Sequence, residues 1–290
     1  MVTGIVDVGG GMRGIYSAGI LDFLMEVGIG FDKCIGVSAG SANLISFLAH
    51  QEYRNYKFYT DYAFRKEYMG KSNLLKSGNF INLEYIYGEL SNKNGEYPLD
   101  FLSVKNNPSE FLVVATDAHT GKAKYFSKDE LKQDNYKPLM ASSCVPGVNK
   151  PYFIKGFPYF DGALSDPIPL DKAFEIGCDR VVLIVTKPID FIRTNIKDLP
   201  LARMIERKYP LASEGLLKRA ERYNEGMAKA IKLQKDGKVF IFAPKDISGV
   251  DTLKMDRESL VRLYKSGYAD ARGSFHELEE FLGRQNYGNV

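Results

Sequence analysis

The chain has 290 residues, 44% hydrophobic and 26% charged, enough apolar material to fill one large α/β domain. Its 39 basic and 36 acidic residues are spread along the whole length for a net charge of +3, which argues against a dedicated nucleic-acid surface and leaves at most a mild attraction to anionic membranes. Cys34, Cys144 and Cys178 are odd in number, far apart and in no metal-ligand spacing, so neither a disulfide framework nor a zinc site is expected, nor any other cofactor.

The first residues lack the basic start and apolar stretch of a signal peptide, and no apolar run approaches the ~18 residues of a spanning helix. The expectation is a cytoplasmic protein whose contact with lipid, if any, is peripheral. Val2 to Val8 is a β-branched run ending in three glycines, and predicts a buried strand. Ile15 to Val27 has apolar residues at helical spacing, with Gly28 placed to end the helix. Cys34 to Val37 predicts a second short strand and Ser41 to His50 a second helix.

From Glu52 to Tyr68 the chain is rich in aromatic residues, which suits either a cover over an apolar pocket or one face of an amphipathic helix. Residues 71 to 108, rich in Asn, Gly, Ser and Lys, predict an irregular insertion. Phe111 to Thr116 is a strand with Ala123 to Ser127 as its partner. Val181 to Val185 and Val239 to Ala243 are two more strands, with helical sequence from Leu199 to Gln234 and again over 256–283. Strands alternating with helices predict an α/β fold, a mainly parallel sheet covered by helices on both faces. The expected division is a catalytic part over 1–187 and a helical extension with one late strand over 188–290, packed as one unit. The helix around Leu216 to Leu233 alternates basic and acidic residues and reads as a solvated face.

Two motifs carry chemistry. Gly9-Gly10-Gly11-Met12-Arg13-Gly14 joins the first strand to the first helix, where glycines allow positive φ and helix-terminal amides face an anion. A dinucleotide site would want an acidic residue after the second strand, but Asp32 precedes it. Gly36-Val37-Ser38-Ala39-Gly40 lies between strand and helix, the setting in which GxSxG projects a serine hydroxyl from a sharp turn. A serine needs a base. His50, His119 and His276 stand in surroundings that single none of them out. Asp161, in Tyr159-Phe160-Asp161-Gly162-Ala163, is the better candidate, with Asp166 and Asp171 as competitors that spacing does not remove.

A strand ending in GGGxRG, a GxSxG and a distant DG[GA], in that order, resemble the patatin-like phospholipases. Ala115-Thr116-Asp117 with Thr120-Gly121, and Ala141 to Pro146, are similar to the family as well. The resemblance covers roughly residues 4 to 187. It implies a serine acyl hydrolase with a Ser38–Asp161 dyad, no catalytic histidine, and an oxyanion hole of the Gly9, Gly10 and Gly11 amides with Ala39 as an addition. Its substrate would be an acyl ester or phospholipid. Arg13 is expected either to position the glycine loop or to contact an acidic head group. Two alternatives stand beside this: a Ser/His/Asp hydrolase using His276, and a regulatory module binding a nucleotide on the glycine loop without turnover.

Overall fold

The computed structural model describes residues 1–254 and 256–284; residue 255 and the last six residues of the expected C-terminal extension lie outside the described residues. Eight strands form one sheet: β1 (Thr3–Asp7), β2 (Lys33–Val37), β3 (Glu110–Asp117), β4 (Ala123–Ser127), β5 (Tyr152–Ile154), β6 (Phe157–Asp161), β7 (Arg180–Ile184) and β8 (Val239–Phe242). The order along it is β5-β6-β3-β2-β1-β7-β8, with β4 paired to β3. β3, β2, β1, β7 and β8 run parallel, whereas β4, β5 and β6 pair antiparallel. The predicted α/β fold is therefore correct, and so is its mainly parallel sheet.

The strands are apolar almost throughout because both faces are covered. Ile5, Cys34, Val113 and Val182 belong to one buried cluster. Their chain neighbours Val6, Ile35, Val114 and Val181 belong to a second, as the period of two along a strand requires. Helices Ile15–Glu26, Ala39–Leu48 and Arg257–Gly273 cover the first face; Leu170–Glu175 and Arg219–Lys235 cover the second. The segment after β7 is integral to both layers. It adds β8 to the sheet, and its helix Arg257–Gly273 packs along Ile15–Glu26, where Tyr264 donates to Asp22 and Tyr16 to Asp270, each at 2.7 Å.

Two expectations need correction. The stretch 71–108 is not simply irregular: it holds helices Lys71–Ser77 and Phe101–Asn106 and a wide helical turn over Glu84–Glu89. The helical run from Leu199 is three helices, broken at the turn before Pro210 and again at Lys218. β5 and β6 were not expected at all.

Register explains what the sheet brings together. β4 covers residues 112–116 of β3 on one edge. β2 and β6 must then share the other edge, end to end: β2 pairs up to Val37 opposite Val114, and β6, running the other way, ends with Asp161 opposite Ala115. Ser38, the residue after Val37, thus runs toward Asp161. Two residues 123 positions apart meet because β3 lies beside both.

Candidate active site

Ser38 sits between β2 and the helix Ala39–Leu48 with φ 55 and ψ −129. A non-glycine residue is held there at a cost of about 1–3 kcal/mol, and only surrounding bonds keep it so. Those bonds are present. The Ser38 N–H donates to Ser142 Oγ at 2.7 Å, and the Ser142 hydroxyl donates in turn to the Val114 carbonyl at 2.6 Å. The Ser38 carbonyl accepts from Ser41 Oγ at 2.6 Å.

Ser38 and Asp161 line one cavity, where the Ser38 side chain lowers the pKa of the Asp161 carboxylate, which is 2% exposed. Ala163 N–H donates to Asp161 Oδ1 at 2.8 Å, and the Asp161 N–H donates to the Cys144 carbonyl at 2.8 Å. Ser142 and Cys144, two residues apart, therefore fasten the backbones of both partners. Burial raises the Asp161 pKa from its ordinary value, while Ser38, the bond from Ala163 and the charges of Arg219 and Arg193 pull it back. The carboxylate is thus a stronger base than a solvated one and still held by donors.

The glycine loop lies against this turn. Gly9, Gly10 and Gly11 have φ of 66, 128 and 61. A Cβ on Gly9 would fall 2.3 Å from the Val37 carbonyl oxygen and 2.7 Å from the Gly40 nitrogen, so only glycine permits the approach. One expectation fails here. The Gly9 N–H is not available to an oxyanion, because it donates to Asp7 Oδ1 at 2.9 Å. Among the described residues no acceptor meets the Gly10 and Gly11 N–H groups.

Asp7, at the end of β1, is a residue the sequence reading passed over. It is fully buried and takes hydrogen bonds from Gly9, Asn43 and Ser17. Burial pushes its carboxyl up to about 6, against the lowering effect of those three donors. Arg13 is 6% exposed and donates to Asp251 and Thr252 at 2.8 and 3.1 Å. Gly14 packs on the Tyr59 hydroxyl, Gly36 on Ser41, Gly40 on Asp7 and Gly162 on the Val114 carbonyl, so each small residue of the three motifs marks a close contact.

One cavity joins these groups. Ser38, Ala39, Asp161, Ala163 and the glycine loop line it. Ile45, Phe58, Tyr59, Met69, Ile86 and Leu139 supply an apolar part; Arg13, Lys187, Arg193 and Arg219 supply a cationic part. None of the three histidines lines it. His276 is exposed, beside Glu280 at 3.5 Å. Asp166 accepts from Tyr125 and Asp171 pairs with Lys229, both away from the cavity. Of the carboxylates weighed from the sequence, only Asp161 meets Ser38.

The family model for patatin-like phospholipases matches residues 8–174, more than half of the chain. The chain belongs to that family. A second model, a domain of unknown function (DUF6363), matches residues 209–283 of this patatin-like chain. Among curated proteins, the uncharacterized protein YjjU of Escherichia coli is 29% identical over 199 residues, 63% of this chain and 52% of that protein. The patatin-like chain thus spans about half the length of the curated relative it matches. VipD from Legionella pneumophila, a crystal structure, superposes with a TM-score of 0.51 over 95% of this chain and 67% of its own, at 14% identity. That likeness concerns the fold alone. Among the described residues no helix is long and apolar enough to cross a membrane, and no group of His, Cys, Asp and Glu could hold a metal ion.

Proposed function

We propose that this patatin-like chain is a serine acyl hydrolase acting on lipid esters, with Ser38 as nucleophile and Asp161 as the only side-chain base. The observation that carries it is a strained serine and a buried carboxylate of raised pKa lining one cavity, the serine acting on the carboxylate's pKa, beside unpaired amides and an apolar wall. Asp161 takes the hydroxyl proton as Ser38 Oγ attacks the ester carbonyl. The Gly10, Gly11 and Ala39 N–H groups face the negative charge that develops on the carbonyl oxygen; such a donor is worth about 3 kcal/mol in the transition state. Collapse of the tetrahedral adduct breaks the bond to the leaving alcohol, which takes the proton from Asp161. Water, deprotonated by the same carboxylate, then hydrolyses the acyl-enzyme.

In this reading residues 1–187 carry the catalysis and 188–290 pack on the same unit. Contact with lipid would be peripheral, through exposed Ile192, Ile196 and Met204, with exposed Lys197, Arg203, Arg207 and Lys208 among them. Vesicle flotation with and without anionic lipid tests that part: equal recovery of free protein in both refutes it. The central test is hydrolysis of a p-nitrophenyl acyl ester. Ser38→Ala is expected to lose turnover with its melting temperature kept; turnover at the wild-type rate defeats the proposal.

A further inference from the structure

The two amides left for an oxyanion, Gly10 and Gly11 N–H, have no fixed direction of their own in a run of glycines. Their neighbours supply it. A peptide unit is planar, so a group bound on one edge of the unit aims the other edge. The Gly9 carbonyl accepts from the Thr186 hydroxyl, and its plane carries the Gly10 N–H. The Met12 N–H donates to the Thr252 carbonyl at 3.0 Å, and its plane carries the Gly11 carbonyl. The unit with the Gly11 N–H lies between these two held planes. Gly9 is held on its amide side as well, through Asp7.

Thr252 does not belong to the part of the chain that carries the serine and the carboxylate. It lies in the link between β8 and the helix Arg257–Gly273, within the region of unknown function matched over 209–283. That link meets the loop at more than one bond. Asp251 Oδ1 accepts from Arg13 Nη1 and from the Thr252 N–H, each at 2.8 Å, and Thr252 Oγ1 accepts from Arg13 at 3.1 Å. A Cβ on Gly11 would fall 2.3 Å from the Thr252 carbonyl oxygen, so loop and link touch backbone to backbone. Both ends of the link are fastened, by β8 in the sheet and by the helix along Ile15–Glu26. Thr252 and Leu253 line the cavity itself. A region that only covered the catalytic part would bury apolar side chains against it; this one also ends a backbone bond and an ion pair on the loop.

Resting on the reading of Ser38 as nucleophile and of the Gly10 and Gly11 amides as its oxyanion hole, we propose that the region over 209–283 is a positioning element for that hole. Asp251 is its positioning residue: it orients the Thr252 backbone and neutralises Arg13, and through both it holds the loop. The catalytic residues over 1–187 are then insufficient for turnover by themselves, and the later region is part of the enzyme. Asp251 is also open to a clean test. Its side chain is 55% exposed, so its loss should lower the melting temperature by less than about 5 °C and leave the sheet intact.

The full chain is compared with Asp251→Ala and with Asp251→Asn, which keeps an acceptor oxygen for Thr252 and Arg13. Asp251→Ala is expected to lower kcat at least about tenfold on p-nitrophenyl acetate and decanoate alike, with KM changed less than about twofold. A decyl trifluoromethyl ketone, which adds to Ser38 as a hemiketal oxyanion while the hydroxyl proton passes to Asp161, should lose affinity by the same factor. Asp251→Asn should stay within about threefold of the wild type in both measures. Hydrogen exchange reads the loop without turnover: the Met12 amide should exchange at least about fivefold faster in Asp251→Ala, and the amides of β2 at the wild-type rate. A loss confined to KM, an unchanged inhibition constant, or Met12 exchange equal to that of the wild type overturns the inference. The dyad is judged separately, by ester turnover of the wild type against Ser38→Ala, so that reading can fail while loop exchange still decides this one.

Discussion

The apolar and cationic parts of the cavity differ in how completely each is satisfied. Ile45 comes from the helix after Ser38, Phe58 from the aromatic stretch, Met69 from just beyond it, Ile86 from the 71–108 segment and Leu139 from the helix Lys137–Ser142, and all belong to the largest buried cluster. Arg13, Lys187, Arg193 and Arg219 stand against the carboxylates of Asp198, Asp251 and Asp161, and keep surplus charge. A wall that is complete by itself needs only the hydrophobic effect to take an acyl chain, and so discriminates by length. A wall with surplus positive charge discriminates by charge. The proposed dyad of Ser38 and Asp161 lines the same cavity, so length and charge should be separable in its kinetics.

The largest expected effect comes from removing the base they share. Asp161→Asn should lower kcat about a thousandfold with little change in KM, as loss of a general base does. A fall of less than tenfold in stopped-flow or steady-state assays would break the symmetry of the two walls around one dyad.

Next in size is the floor beneath the glycine loop. Asp7 has a folded-state pKa of about 6 against 3.8 for the free side chain, so between those values the folded chain holds the extra proton. Stability from this group is therefore full below pH 3.8 and is lost as pH rises through 6, by up to about 3 kcal/mol. Urea unfolding at pH 4.5 and pH 7.5 should show the wild type losing more on alkalisation than Asp7→Asn does. Parallel curves would mean that Asp7 keeps its proton equilibrium unchanged on folding.

The apolar wall predicts a smaller, graded effect. Each added methylene should raise kcat/KM about fourfold, from ~0.8 kcal/mol per buried methylene, until the cavity is full. Leu139→Phe should bring that plateau to shorter chains; an unchanged length profile would place the acyl chain elsewhere.

The smallest effect links the cationic wall to the dyad. Arg219 lowers the Asp161 pKa, so Arg219→Gln should move the acid limb of the pH–rate profile toward higher pH. The sign follows from the base being active when ionised. A shift toward lower pH would contradict it.

Much of the floor of the site was legible in the sequence because its signals are local. Strand, three glycines and helix, then strand, GxSxG and helix, need only neighbouring residues to make sense. Asp161 stood out as a candidate base from its local setting, but its choice over Asp166 and Asp171 came only through the family resemblance, since nothing local says that β6 takes over the edge of β3 where β2 stops. β6 itself was missed because Phe157-Pro158-Tyr159-Phe160 carries a proline and no alternation; it survives by pairing for only three residues with β3 and three with β5. The short helices of 71–108 were hidden by their Asn, Gly and Ser content. Asp7 was hidden in an apolar run, although a carboxylate inside a buried strand is itself a signal. The cationic wall could not have been read at all: residues 13, 187, 193 and 219 have no common spacing, and only the packing of the segment after β7 assembles them.

The most direct test of the central claim is covalent. A fluorophosphonate probe followed by peptide mapping should modify Ser38 in the wild type, and should leave Ser38→Ala unlabelled and Asp161→Asn labelled far more slowly. Labelling of another residue in Ser38→Ala, with ester hydrolysis intact, would contradict the account.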